Sequence, residues 1–147
     1  SLIYIMASLF YNNYYTELAE GGIDYTTDTI KMALMTTSYT QNIDTHSFFS
    51  DLTGEASGTG YTTGGQAVGS ITVTQDDTND RAVIDFADEV FSTVTVTDVD
   101  SYVLYKDTGV AATSPLIARI EFTEGAQSTV GGDFTVIPSA TGVHTIG

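Results

Sequence analysis

Residues 68–86 read Val68-Gly69-Ser70-Ile71-Thr72-Val73-Thr74-Gln75-Asp76-Asp77-Thr78-Asn79-Asp80-Arg81-Ala82-Val83-Ile84-Asp85-Phe86. Apolar residues alternate with polar ones on both sides of an Asp/Asn/Thr run. Successive side chains of a strand point to opposite faces, so alternation marks a half-buried strand. Val68–Gln75 and Arg81–Phe86, with Ala82, Ile84 and Phe86 on one face, are therefore expected to form a hairpin about the turn at Asp76–Asp80.

Working outward, the same signal recurs. Phe91–Thr97 alternates with the β-branched residues that strands favour, and Ser101–Lys106, Leu116–Phe122 and Phe134–Ile137 continue the series. Upstream, Thr26-Thr27-Asp28 makes a turn before the strand Ile30–Met35, and Gly142–Ile146 is a candidate edge strand. Seven or eight short strands at regular spacing predict a mainly β fold, an antiparallel β-sandwich or jelly roll with one N-terminal α-helix. That helix is expected over Ser8–Glu20, capped by Ser8 and stopped by Gly21-Gly22, with Phe10, Tyr11, Tyr14 and Leu18 near one face to cover the open end of a sheet. Residues 1–7 are expected to be an N-terminal arm or an edge strand against a neighbour, with Met6 a candidate natural start. Residues 8–147 are expected to be a single β-rich domain. The segment Thr36–Gly65 reads as a long irregular insertion with a short helical turn near Thr45–Leu52.

With 147 residues the chain is long enough for a real apolar core without a metal or disulfide staple. It has no Cys, which excludes thiolate catalysis and Cys-ligated zinc. There are 19 acidic residues against 4 basic ones, a net charge of −15. Such a surface repels phosphate backbones and anionic lipid, so neither direct nucleic-acid binding nor a membrane partner is expected. It favours solubility, a basic partner or divalent cations. Lys31, Arg81, Lys106 and Arg119 all fall on expected strands, where each should meet an acid on an adjacent strand. No secretory signal or membrane span is expected from the apolar start.

The sequence offers no catalytic, cofactor-binding or metal-binding set, and no cofactor is expected. Asp44 and His46 form a carboxylate–imidazole candidate, but no nucleophile signature accompanies them. A local role fits better, with Asp44 accepting backbone N–H groups at a helix start. His144 stands far away in sequence. Gly58-Thr59-Gly60-Tyr61-Thr62-Thr63-Gly64-Gly65 lacks the Lys-Ser/Thr ending of a phosphate-binding loop, and reads as a bend anchored by the Tyr61 ring. Asp76–Asp80 is oxygen-rich, as calcium prefers, yet lacks the Gly and Glu of an EF-hand loop. Asp98 and Asp100 are a second acidic pair.

The order of pieces in the first half carries a resemblance. Ile23-Asp24-Tyr25-Thr26-Thr27-Asp28-Thr29-Ile30-Lys31-Met32-Ala33-Leu34 is followed by Asp44-Thr45-His46-Ser47-Phe48-Phe49 and then by the Gly58–Gly65 loop. Tyr102-Val103-Leu104-Tyr105-Lys106-Asp107-Thr108-Gly109 and Ser114-Pro115-Leu116-Ile117-Ala118 follow. From about Leu9 onward this resembles a family of small virion structural proteins of tailed double-stranded DNA phages, of capsid-decoration type. The resemblance implies a structural protein rather than an enzyme. It implies a virion location after assembly in the host cytoplasm, most simply as a decoration (cement) protein on the head exterior. The implied partners are the major capsid protein or another virion protein, together with further copies of the chain as a homo-oligomer such as a trimer.

A tail-associated or head–tail structural role is the alternative within the particle. Two other classes stay open on sequence. A carbohydrate-binding β-sandwich module would need a row of exposed aromatics on one sheet face. A glycoside hydrolase or lyase would need paired carboxylates, for which Asp85, Asp88 and Glu89 are the nearest candidates.

Overall fold

The structure, a computed structural model, describes residues 2–139 and 143–147. In chain order the elements are β1 (Leu2–Phe10), α1 (Asn12–Ala19), β2 (Ile30–Thr36), β3 (Gln66–Ala67), β4 (Thr72–Asp76), β5 (Arg81–Asp85), β6 (Glu89–Lys106), β7 (Leu116–Phe122), β8 (Gln127–Ile137) and β9 (His144–Ile146), with single 3-10 turns at Phe49–Asp51 and Ala111–Thr113. The fold is mainly β with antiparallel sheets and one α-helix near the start, consistent with a β-sandwich.

Six strands form the main sheet in the order β3-β2-β6-β7-β1-β8. The long strand β6 does two jobs. Its Ser101–Tyr105 part pairs with β7, while Glu89–Val99 pairs with β8, so β6, β7, β1 and β8 close on themselves. One pairing departs from the antiparallel expectation: Leu2–Tyr4 runs parallel to Thr135–Ile137. The second sheet is β4-β5-β9. Its hairpin pairs Thr72 with Asp85 through to Asp76 with Arg81, so the expected hairpin is present, but its first strand is Thr72–Asp76 and not Val68–Gln75: Val68–Ile71 lie outside it and Ser70 adopts positive φ. The expected C-terminal strand is present at His144–Ile146 beside β5, while Gly142 lies outside the described residues.

β6 joins two stretches that the sequence separates. Register shifts fall at Phe91/Val94, Val94/Val96 and Val96/Val99, and Thr93 and Asp98 adopt positive φ. Such bulges bend a strand and raise its twist without ending it. The bend lets one strand serve both sides of the closed circuit.

The helix is shorter than expected. Ser8 lies in β1 opposite Ile120, and Leu9 and Phe10 are paired with Arg119 and Ala118. Ladder hydrogen bonds to β7 thus hold Ser8–Phe10 extended against the helical spacing of their aromatics. The helix starts after Tyr11, which makes no side-chain cap. Its end follows expectation: Gly21 has φ +77°, its N–H donates to the Leu18 carbonyl, and Gly22 N–H donates to that of Glu17 at 2.7 Å. That pair of bonds is the Schellman arrangement.

Both faces of the central strands are covered. Ile30, Met32, Leu34, Tyr102 and Leu104 face a core shared with Ile84 and Phe86 of the small sheet. Ala33, Met35, Val103 and Tyr105 face the other way, with Tyr11, Tyr39, Phe49 and Leu52 over them. Two-sided burial explains why β2 and this part of β6 read as unbroken apolar runs rather than alternating ones.

Candidate functional site

The long Thr36–Gly65 segment carries the motif residues; its Tyr39, Phe49 and Leu52 cover one face of the main sheet, while Ala56 and Tyr61 pack in the core on the other. It is irregular apart from the turn at Phe49–Asp51, which falls within the expected stretch. Its path is set by hydrogen bonds to β2: Thr36 N–H to the Gly54 carbonyl at 2.9 Å and Ala56 N–H to the Leu34 carbonyl at 2.8 Å.

Asp44 and His46 do not work as a pair. Asp44 Oδ1 accepts a bond from Asn12 Nδ2 at 2.7 Å, which ties the loop to the start of α1. The expected capping role falls to Asp51 instead, whose Oδ2 accepts the N–H groups of Ser47 and Phe48 at 2.9 Å each. Those bonds hold its carboxyl below the usual range. An acid three residues into a short turn was the sequence signal for this role. His46 Nδ1 lies 2.8 Å from the Tyr39 hydroxyl, which in turn lies 2.9 Å from the Tyr11 hydroxyl. Backbone N–H of Asn42 also donates to that Nδ1 at 3.3 Å. The imidazole thereby ends a chain of hydroxyls that pins the loop over Val103 and Leu116.

The glycine loop closes on a half-buried carboxylate. Tyr61 hydroxyl donates to Glu55 Oε2 at 2.6 Å, and Gly64 N–H donates to the same oxygen at 2.7 Å. Leu34 N–H donates to the Tyr61 oxygen at 3.0 Å, and Tyr105 hydroxyl donates to the Gly64 carbonyl at 2.6 Å. The Tyr61 ring stacks on Phe91 with centroids 5.9 Å apart, so the anchoring role expected of Tyr61 is present. Burial raises the Glu55 carboxyl above its ordinary value. At Gly65, φ is +75° and a Cβ would overlap the Met32 carbonyl oxygen, so the loop can lie flat on β2 only with glycine there. Glu55 was not legible in the sequence, because only the folded loop brings it to Tyr61.

His144 lies over the opposite face. Its ring sits 4.1 Å from that of Phe10 and 5.5 Å from that of Tyr14, measured between centroids. Burial among these rings pushes the imidazole down to about 4. Of the acidic candidates, Glu89 is buried and accepts bonds from Gly69 N–H and Gln66 Nε2, which straps β3 to β6. Asp85 Oδ1 accepts Phe86 N–H. In the acidic turn, Asp76 accepts bonds from Asn79 Nδ2 and Arg81 Nε, so both of its neighbours compete with any cation. Among the described residues no group of three or more His, Asp or Glu is arranged to hold a metal.

Every cation of the chain is already committed. Lys31 pairs with Asp107 at 2.8 Å, Arg81 with Asp76 at 2.9 Å and Lys106 with Asp28 at 3.3 Å. Arg119 reaches Glu121 at 2.6 Å and Asp100 at 3.5 Å. Only Arg81–Asp76 and Arg119–Asp100 are the adjacent-strand pairs that were expected; Glu121 lies on the same strand as Arg119, and the two lysines use acids just beyond strand ends. An anionic ligand therefore finds no uncommitted positive side chain. The tyrosines a sugar platform would need are mostly inside: Tyr11, Tyr14, Tyr25, Tyr39, Tyr102 and Tyr105 are buried. No helix among the described residues is long and apolar enough to cross a membrane. Comparison with protein families, with curated proteins and with solved structures finds no match to this chain.

Proposed function

We propose that this protein is a structural component of a tailed-phage virion, a decoration protein bound as a homo-oligomer to the outside of the capsid. One observation carries the reading beyond the resemblance. Asp44 and His46 act in fastening the Thr36–Gly65 segment to Asn12 and Tyr11 at the start of α1, and Tyr61 and the Gly58–Gly65 loop fasten it to β2 and β6. Their bonds shape the surface of this segment. The charge supports the same reading: with all four cations paired and a net charge of −15, the surface is suited to a basic protein lattice and unsuited to packaged DNA.

Purified protein added to particles stripped of it should restore stoichiometric occupancy over the whole head surface, as seen by imaging. Label confined to the tail or to one vertex would remove the decoration reading. His46→Ala should leave that occupancy largely intact, since His46 serves the loop alone. A hydrolytic activity in the wild type that His46→Ala abolishes would reopen the enzyme reading.

A further inference from the structure

The small sheet ends in an open edge. β5 lies between β4 and β9, and among the described residues nothing pairs with the outer side of β4. Thr72, Val73, Thr74 and Gln75 are all exposed. Folded proteins usually blunt such an edge with Lys, Pro or a bulge, because its unpaired N–H and C=O groups invite another strand. Thr72–Gln75 has none of these, and its register with β5 runs without a shift.

Beside this edge the sheet overhangs the core. Residues directly opposite across a ladder share a face. Val73 is opposite Ile84, while Gln75 and Ile146 both lie opposite or beside Ala82 on that same face. Ile84 is buried, yet Val73 is 48% exposed and Ile146 is 40% exposed. Beside the edge runs an open groove of about 590 Å³ lined by Val73, Ala82 and Ile146 and by Asp77, Asp80 and Arg81, the last of which is paired with Asp76.

We propose that the β4 edge and this groove dock an extended, basic segment of another protein. The segment adds as a strand alongside β4, seats aliphatic side chains over Val73 and Ile146, and turns Lys or Arg toward Asp77 and Asp80. Charge selects this occupant. The chain's cations, Arg81 in the groove included, are paired with Asp28, Asp76, Asp100, Asp107 and Glu121, so neither Asp77 nor Asp80 has one. A second copy of the chain would bring another −15 to the edge and no free cation, whereas a basic strand relieves the repulsion. This inference concerns a different surface from the loop cover and does not depend on a virion location.

The test uses the full chain and two eight-residue peptides, one alternating Lys with Val and one alternating Glu with Val. Binding is followed by fluorescence anisotropy at low and high salt, and amide exchange locates it. The Lys/Val peptide should bind and slow exchange of the outward amides of Thr72–Gln75, and should weaken at least tenfold at high salt. N-methylation of alternate peptide amides should abolish binding. Val73→Lys should cost at least tenfold, and the double variant Asp77→Asn with Asp80→Asn, which leaves the strand untouched, several-fold at low salt. Equal binding of the Glu/Val peptide, no binding of the Lys/Val peptide at millimolar concentration, or protection elsewhere would each overturn the proposal. So would a dimer in sedimentation that protects β4 without peptide.

Discussion

Tyr102 offers the sharpest test of how this core is held together. It sits on β6 opposite Leu34 and Ile120, fully buried, with its ring 6.1 Å from that of Phe122. Its hydroxyl has no hydrogen-bond partner in the structure. Burial alone pushes that hydroxyl far above its ordinary pKa. Tyr25 is the natural control, because its hydroxyl lies 2.7 Å from that of buried Tyr14. An unpaired buried hydroxyl costs about 1–3 kcal/mol by mutational measures. Tyr102→Phe removes the unpaired oxygen and keeps the ring, so it should stabilise the protein by about 1–2 kcal/mol. Tyr25→Phe leaves Tyr14 unpaired in the core and should cost about 1–3 kcal/mol. With a urea slope of roughly 1–3 kcal/mol/M, the two midpoints should move in opposite directions by several tenths of a molar or more. Equilibrium urea unfolding at neutral pH reads both. A Tyr102→Phe variant destabilised by about 1 kcal/mol or more would refute the reasoning, since the hydroxyl would then be bonded in solution, for instance to an enclosed water.

Glu55 and His144 should give opposite pH signatures. The folded Glu55 carboxyl sits above its ordinary value, so its contribution is present at low pH and lost as pH rises through the folded value. Glu55→Gln keeps an oxygen for Tyr61 and Gly64, and should gain on the wild type as pH rises; the reverse trend in denaturant titrations would count against it. For His144 the folded value is depressed from 6.5 to about 4, so stability is present above 6.5 and lost as pH falls through 4. The full shift corresponds to roughly 3 kcal/mol, which partial exposure reduces to about 1–2 kcal/mol. His144→Leu should flatten the acid limb by that amount in melts between pH 7 and 4, and an unchanged limb would contradict it. Gly65→Ala meets both a positive φ and the Met32 carbonyl, and should cost more than about 2 kcal/mol in thermal unfolding.

Much of the fold was readable where one local rule acted alone. The β4–β5 hairpin followed from alternation around an acidic turn, although its first strand starts at Thr72 and not at Val68, and β7 appears over the expected residues. Reading failed where two rules competed. Ser8–Phe10 has helical spacing toward Tyr14 but gains more from pairing with β7. β6 looks like two strands because the bulges near Thr93 and Asp98 interrupt the period of two. At the loop cover, the role of Tyr61 was legible from its type and its glycine neighbours. Its partner was not, since Glu55 meets it only after both segments have settled on β2.

The closed circuit of strands has a consequence for how the chain comes to be folded. β1 is made before the other strands of this circuit, yet its ladder partners are Ala118–Phe122 and Thr135–Ile137, more than a hundred residues later. During synthesis the opening strand has no place to go until most of the chain has emerged. Contacts so distant in sequence make folding slow, and the waiting strand is exposed to wrong neighbours in the meantime. The ring is therefore sealed last by its oldest segment, and premature release of a truncated chain would leave a sticky end rather than a smaller stable domain.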